Sequence, residues 1–299
     1  MDSTLSAPVV NPAAAFYGGN RLARWLGGAL RVTHRIAPGA GARLALRLFF
    51  TPLPLKTSAR KRPVPTTWRA QRFPLEDGSF VLWKRSELED AELDRPTVLL
   101  VHGWAGDAMQ MRDLGDALAR QGFTPLLLDF PAHGRSDGWR TTLPQFVRTL
   151  FAVQARVGPL HAVVAHSLGA LASAHAAAKG LAVRRMVLIA PSAPPARVIH
   201  WFAHGFGVGE ALAGRMRQWI EGVEGIPLDQ FEPAWLGART AQPTLIVHDL
   251  ADRAAPLAAG ESLARALPNA RLLTTEGLGH RRVLSDDSVI DAVTRHLRR

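Results

Sequence analysis

The chain has 299 residues, 47% of them hydrophobic, which is enough for one large α/β domain or two small ones. It contains no cysteine, so disulfides and thiolate metal sites are excluded. Its net charge is 36 − 25 = +11, but eleven basic residues and one acid fall within residues 1–70, a local excess of +10. The rest of the chain is close to neutral, so a nucleic-acid-binding body is not expected.

The N-terminus, MDSTLSAPVV, lacks a basic stretch followed by an apolar core, so no secretory signal is expected. No run of about 18 apolar residues is present that would predict a spanning helix. A cytoplasmic location follows as the expectation. Residues 1–66 read as a basic extension and 67–299 as the main domain. On a helical wheel Arg21, Arg24, Arg31 and Arg35 fall on one side, with Leu22, Trp25, Leu26, Ala29, Leu30, Val32 and Ile36 on the other. Such a helix suits peripheral contact with an anionic membrane through residues 16–50. It equally suits packing on the domain with a solvated arginine face. Gly27 and Gly28 each weaken the helix by about 0.8–1 kcal/mol relative to alanine.

From Thr67 onward short apolar runs alternate with helical stretches. TTWRAQRF and SFVLWKR flank the turn signal Glu76-Asp77-Gly78 and predict a hairpin. PTVLLVHG (96–103) has the continuous apolar character of a strand buried on both faces. A helix over DAMQMRDLGDALARQG leads to the strand TPLLLDF, and a second helix spans 142–157. HAVVAHS is a strand followed at once by an alanine-rich helix, 168–179. RRMVLIAP, TLIVHD and RLLTTEG are further strands, and a helix from about Val283 closes the chain. Strands alternating with helices imply a parallel sheet covered on both faces.

Ligands of such sheets bind beyond the carboxyl ends of the strands. The residues placed there are His102-Gly103-Trp104, the run Asp129 to Ser136, Ser167, Asp249 with Asp252, and His280. A nucleophile, acids and a base therefore share one edge. A serine ahead of a helix is by default an N-cap. Here an acid and a histidine at neighbouring strand ends favour a nucleophile, because a hydroxyl becomes reactive only when a base takes its proton.

The motifs carrying these residues resemble those of the α/β-hydrolase fold family. AHSLG resembles the family's nucleophile elbow, with Ala165 where glycine is more usual. LLVHGWAG resembles its oxyanion-hole strand end and LLLDFPAHGRSDG its Asp-x-x-x-His-Gly-x-Ser turn. LIVHDLADRAAP resembles its acid turn and EGLGHRRV its histidine loop. The resemblance spans residues 67–298 and implies a mostly parallel central sheet with helices on both faces. It also implies Ser167 as nucleophile, His280 as base and Asp252 as acid, with the amides of Trp104 and Leu168 as oxyanion hole. Asp252 is preferred to Asp249 because it stands four residues before Pro256; His248 replaces a glycine often seen in that turn. Asp129 is expected to tie down the His133–Ser136 turn, and His102, His133 and His166 to frame the site.

Residues 192–242 read as a short helical lid rich in aromatics: Trp201, Phe202, Phe206, Trp219, Phe231 and Trp235. Trp104, Trp201, Phe202 and Phe206 are expected to line an apolar substrate pocket, with the other aromatics fastening the lid. The implied activity is hydrolysis of a small-molecule carboxylic ester or thioester through an acyl-enzyme, without metal or organic cofactor. The alternatives are other chemistry of the same triad (C–C bond hydrolysis, perhydrolysis or amide cleavage) and a catalytically idle binding module.

Overall fold

A computed structural model describes residues 21–52, 59–61, 63–88 and 95–299, and the side chains from residue 25 onward within these. Its centre is one eight-stranded sheet. β1 (Trp68–Leu75) and β2 (Gly78–Arg85) form the antiparallel hairpin, turning at Glu76 with φ +50°. β2 pairs antiparallel with β4 (Thr124–Asp129), and every later pairing is parallel. With β3 (Thr97–Val101), β5 (Leu160–His166), β6 (Val183–Ile189), β7 (Thr244–Asp249) and β8 (Ala270–Thr275), the order is β1-β2-β4-β3-β5-β6-β7-β8.

The apolar strands bury both faces, as period-two geometry requires. Leu99, Val101, Val163, Ala165, Leu188 and Ile246 face one core. Val98, Leu100, Ala162, Val164, Val187 and Val247 face the other. The second core is covered by α3 (Arg112–Arg120) and α11 (Asp287–Leu297) through Leu114, Leu118, Val289 and Val293. α4 (Leu143–Val157) and α5 (Leu168–Ala178) cover the first. Thr142 caps α4 by accepting from the Gln145 amide at 3.2 Å, and Pro144 sits in its first turn, where the missing N–H costs nothing.

The first core extends beyond the expected domain. α1 (Arg21–Ile36) is followed by a second helix that hydropathy did not suggest, α2 (Pro38–Phe49). Leu30, Ala45, Leu46 and Phe50 are buried in the same cluster as the sheet residues. Part of segment 1–66 is thus packed on the domain. The wheel of α1 is also divided differently from the sequence reading. Arg31 turns toward the protein and donates to the Phe206 carbonyl at 2.9 Å, while Trp25, Val32 and Ile36 stand exposed. The side chains of Arg21, Leu22 and Arg24, and all of residues 16–20, lie outside the described part.

Residues 192–242 form α6 (Pro195–Gly205), α7 (Glu210–Glu224), a 3₁₀ turn at Leu228–Phe231 and α8 (Pro233–Gly237). The remaining helices are α9 (Leu257–Ala266) and the single turn α10 (Gly279–Arg282). No described helix is long and apolar enough to cross a membrane.

Candidate active site

Ser167 sits between the last residue of β5 and the first of α5, with φ +54° and ψ −119°. A non-glycine residue at positive φ costs about 1–3 kcal/mol and persists only where its surroundings enforce it. The enforcement is visible. The Ser167 amide donates to Ile189 O at 2.9 Å, and Ser167 O accepts from the Ala170 and Ser192 amides. Small neighbours are obligatory: a Cβ on Gly103 would lie 2.6 Å from Ser167 Cβ, and one on Gly169 would lie 2.3 Å from His102 O. The hydroxyl makes no capping bond to α5. It lies instead 3.1 Å from His280 Nε2.

His280 lies in α10 rather than in an open loop, and its Nδ1 is 2.7 Å from Asp252 Oδ2. With Nδ1–H directed at that carboxylate, Nε2 is left to accept from the Ser167 hydroxyl. The Asp252 side chain is fully buried. Burial pushes its carboxyl upward, but the His280 hydrogen bond and charge and the amides of Ala254 and Ala255 together hold it below the ordinary range. Those amides reach Asp252 Oδ1 at 2.8 and 2.9 Å.

Asp249 is occupied elsewhere. It accepts from the Ala251 amide at 2.9 Å, the Thr275 hydroxyl at 2.8 Å and the Leu278 amide at 2.9 Å. It thereby fixes the turn that delivers His280. His248 is buried and kept neutral by that burial. Its Nε2 donates to Ala255 O at 3.1 Å, which braces the acid turn.

The other strand-end histidines frame the site. His166 Nε2 donates to His280 O at 2.8 Å, and burial, followed by the adjacent His280, pushes its pKa down to about 3. His102 Nε2 accepts from the Phe130 amide at 3.2 Å, and His133 Nε2 accepts from the Ala105 amide at 2.9 Å. Asp129 holds the 133–136 turn only in part. It accepts from the Arg135 amide, and also from the Ala108 amide and Trp83 Nε1. Trp104 and Leu168 both border the space beside Ser167, and no hydrogen bond engages either amide among the described residues. As the first residue of α5, Leu168 has an N–H without an intrahelical partner and lies at the positive end of the helix dipole.

Ser167 opens on a cavity of about 120 Å³ in which, among the described residues, Ser167 and Ser192 provide the only hydroxyl groups. Trp104, Trp201 and Phe202 line it as expected. Phe206 does not. Its ring packs edge-on against that of Phe202, 4.8 Å between centroids, and is not part of the cavity lining. Phe231 and Trp235 fasten the segment by stacking on His175 of α5, at 4.2 and 5.4 Å. Sequence reasoning missed Phe49 and Phe50, which line the cavity from the end of α2. Their signal is the spacing of Ala45, Leu46, Phe49 and Phe50 on one helical face. One group of three metal-ligand side chains exists among the described residues, His200, His204 and Glu210. It is exposed at the α6–α7 corner and borders no part of this cavity.

Residues 96–242 match the alpha/beta hydrolase fold family, and residues 217–299 match a family described as TAP-like protein. The chain belongs to the α/β-hydrolase fold family. A comparison with curated proteins gives no match. Many solved structures share the fold. Est1E from Butyrivibrio proteoclasticus, solved with ferulic acid bound, has 20% identity and a TM-score of 0.59 over 76% of this chain and 96% of that one. The 2-hydroxy-6-oxo-6-phenylhexa-2,4-dienoate hydrolase from Rhodococcus sp. strain RHA1 has 18% identity and a TM-score of 0.58, covering 78% and 99%. A membrane phospholipase A, described as a bacterial virulence factor, has 16% identity and a TM-score of 0.58, covering 92% and 98%. At such identities the likeness is one of fold.

Proposed function

We propose that this chain is a serine hydrolase that cleaves a carboxylic ester or thioester through an acyl-enzyme at Ser167. The observation that carries the reading is the hydrogen-bonded run Ser167–His280–Asp252 opening on an apolar cavity. His280 Nε2 takes the hydroxyl proton as Oγ attacks the acyl carbon, and Asp252 stabilises the imidazolium that forms. The tetrahedral oxyanion is met by the Trp104 and Leu168 amides, donors that need no rearrangement. His280 then protonates the leaving alkoxide or thiolate, and water repeats the sequence on the acyl-enzyme.

Among the described residues no charged side chain lines the cavity at Ser167, which favours an uncharged acyl group over a sugar or a polar oxo-acid. The imidazole of His280, hydrogen-bonded to the buried Asp252 carboxylate on one side and to the Ser167 hydroxyl on the other, favours an enzyme over an idle binding module. A chain-length series of p-nitrophenyl esters tests the reading. Saturable hydrolysis with an optimum chain length is expected, abolished by His280→Ala; turnover that survives this substitution refutes it.

A second feature supports peripheral membrane contact through α1. Trp25, Val32 and Ile36, spaced seven and four residues apart, lie along one face at 69%, 59% and 78% exposure. Arg35 is exposed beside them. An apolar ridge with flanking cations suits the surface of an anionic bilayer.

A further inference from the structure

The cavity at Ser167 has a neighbour. A second cavity of about 420 Å³ lies between α2, α4 and α7. Phe50 borders both. On α4, Leu143 and Pro144 line the first cavity while Gln145 lines the second; on α7, Ile220 lines the first and Trp219 the second. The two spaces therefore adjoin at Phe50, the residue common to both linings. The Thr141 amide donates to Phe50 O at 3.0 Å, which ties the Phe50 backbone to the loop before α4 and leaves its ring unconstrained by that bond.

The two spaces differ in chemistry. The second is lined by four arginines (Arg43, Arg47, Arg140, Arg148) and two glutamates (Glu76, Glu224), a balance of 4 − 2 = +2. Both carboxylates are committed. Glu224 accepts from Arg148 at 2.7 Å and from the Thr142 hydroxyl at 2.6 Å. Glu76 accepts from Arg148 at 2.5 Å and from Gln145 at 2.9 Å. Arg148 is, among the described residues, the one cation hydrogen-bonded to these acids. Among the described residues, no hydrogen bond or ion pair engages the guanidinium groups of Arg43, Arg47 or Arg140. Thr141 lines the same space, is 2% exposed, and has a hydroxyl without a hydrogen-bond partner. A buried hydroxyl of that kind carries a cost unless a ligand or water satisfies it.

We propose that this second cavity is a phosphate site, recognising the phosphate of an amphiphilic ligand whose hydrocarbon part passes Phe50 into the cavity at Ser167. Three unengaged guanidinium groups from two separate elements offer more donors than the two oxygens of a carboxylate can accept. A phosphate monoester presents three acceptor oxygens and a charge near −2, which matches the lining. The apolar cavity beyond Phe50 supplies the place for the chain. That this ligand is also the ester substrate rests on the reading of Ser167 given above; its binding does not.

The test is calorimetric titration of the full chain with octyl phosphate below its micelle-forming concentration, with octanol and with inorganic phosphate. Octyl phosphate is expected to bind at least about tenfold more tightly than either fragment. Arg43→Gln on α2 and Arg140→Gln in the separate loop are each expected to weaken it about tenfold, the cost of one charge-assisted bond. Unchanged urea midpoints would establish that both variants fold. Equal affinity for octanol and octyl phosphate would overturn the proposal. So would inorganic phosphate binding as tightly as octyl phosphate, which would mark a free-anion site with no passage at Phe50. Absence of ester hydrolysis with octyl phosphate binding intact would remove the nucleophile reading and leave this site standing.

Discussion

His166 makes the protein's stability depend on pH in a defined window. Its ring is 3% exposed, and burial lowers its pKa from 6.5 to about 3. The folded protein therefore holds it neutral through the range in which the unfolded chain takes up a proton. Because the unfolded state binds more protons, stability falls as pH drops below 6.5 and levels off near 3. Each pH unit is worth about 1.4 kcal/mol, so acidification to pH 5 removes about 2 kcal/mol through this one group. His175, buried against Phe231 and lowered to about 4, acts in the same direction. The depressed carboxyls of Asp252 and Asp249 lose their contributions only at lower pH, as they are protonated. Burial raises the carboxyls of Asp129 and Glu232 toward this window, so the His166 contribution is read from the difference between the wild type and a variant. The assay is urea unfolding at pH 7.5 and pH 5.0 for the wild type and His166→Gln. Glutamine still offers an N–H to His280 O but does not titrate. The variant's loss on acidification should be smaller by about 2 kcal/mol. Equal losses in the two proteins would refute a buried, neutral His166.

Asp252→Asn should lower kcat by about 10⁴ because the amide orients the wrong imidazole tautomer. Asp249→Asn should chiefly reduce stability, since it loosens the turn before His280; if it proves the less active of the two in steady-state assays, the assignment of the acid is wrong. Gly103→Ala places a methyl against Ser167 Cβ and should cut kcat by about a hundredfold and also lower the unfolding midpoint, since the overpacking costs about 1–3 kcal/mol. The intact protein should co-sediment with anionic vesicles at low salt and release in about 0.5 M salt. Combined Trp25→Ser and Ile36→Ser should abolish that binding, and retention by the double variant would end the case for α1 at a membrane.

The strand ends were legible because a buried parallel strand announces itself as a continuous apolar run and its carboxyl end fixes which residues share an edge. That places Ser167, Asp252 and His280 on one edge from the order of strands and turns alone. The choice of Asp252 over Asp249 rested on the position of Pro256; the structure adds a physical distinction, since Asp249 is saturated by the Ala251, Thr275 and Leu278 donors. The orientation of α1 was not legible. Its wheel carries apolar residues around much of its circumference, and contact with Phe206, more than 170 positions away, ties the Arg31 guanidinium to the domain and leaves Trp25 exposed. For the same reason Phe206 does not reach the cavity expected for it; the spacing of Phe49 and Phe50 marks a buried face of α2 but not the cavity that face lines. Long-range packing decides which aromatics reach a cavity, and local periodicity carries no record of it.

The most direct measurement is covalent labelling of the intact protein with a fluorophosphonate, followed by peptide mapping. A single adduct on Ser167 is expected. It should be absent from Ser167→Ala, whose kcat should fall by about 10⁶. Labelling at another residue, no labelling of the folded protein, or an alanine variant within about tenfold of wild-type activity would contradict Ser167 as the nucleophile.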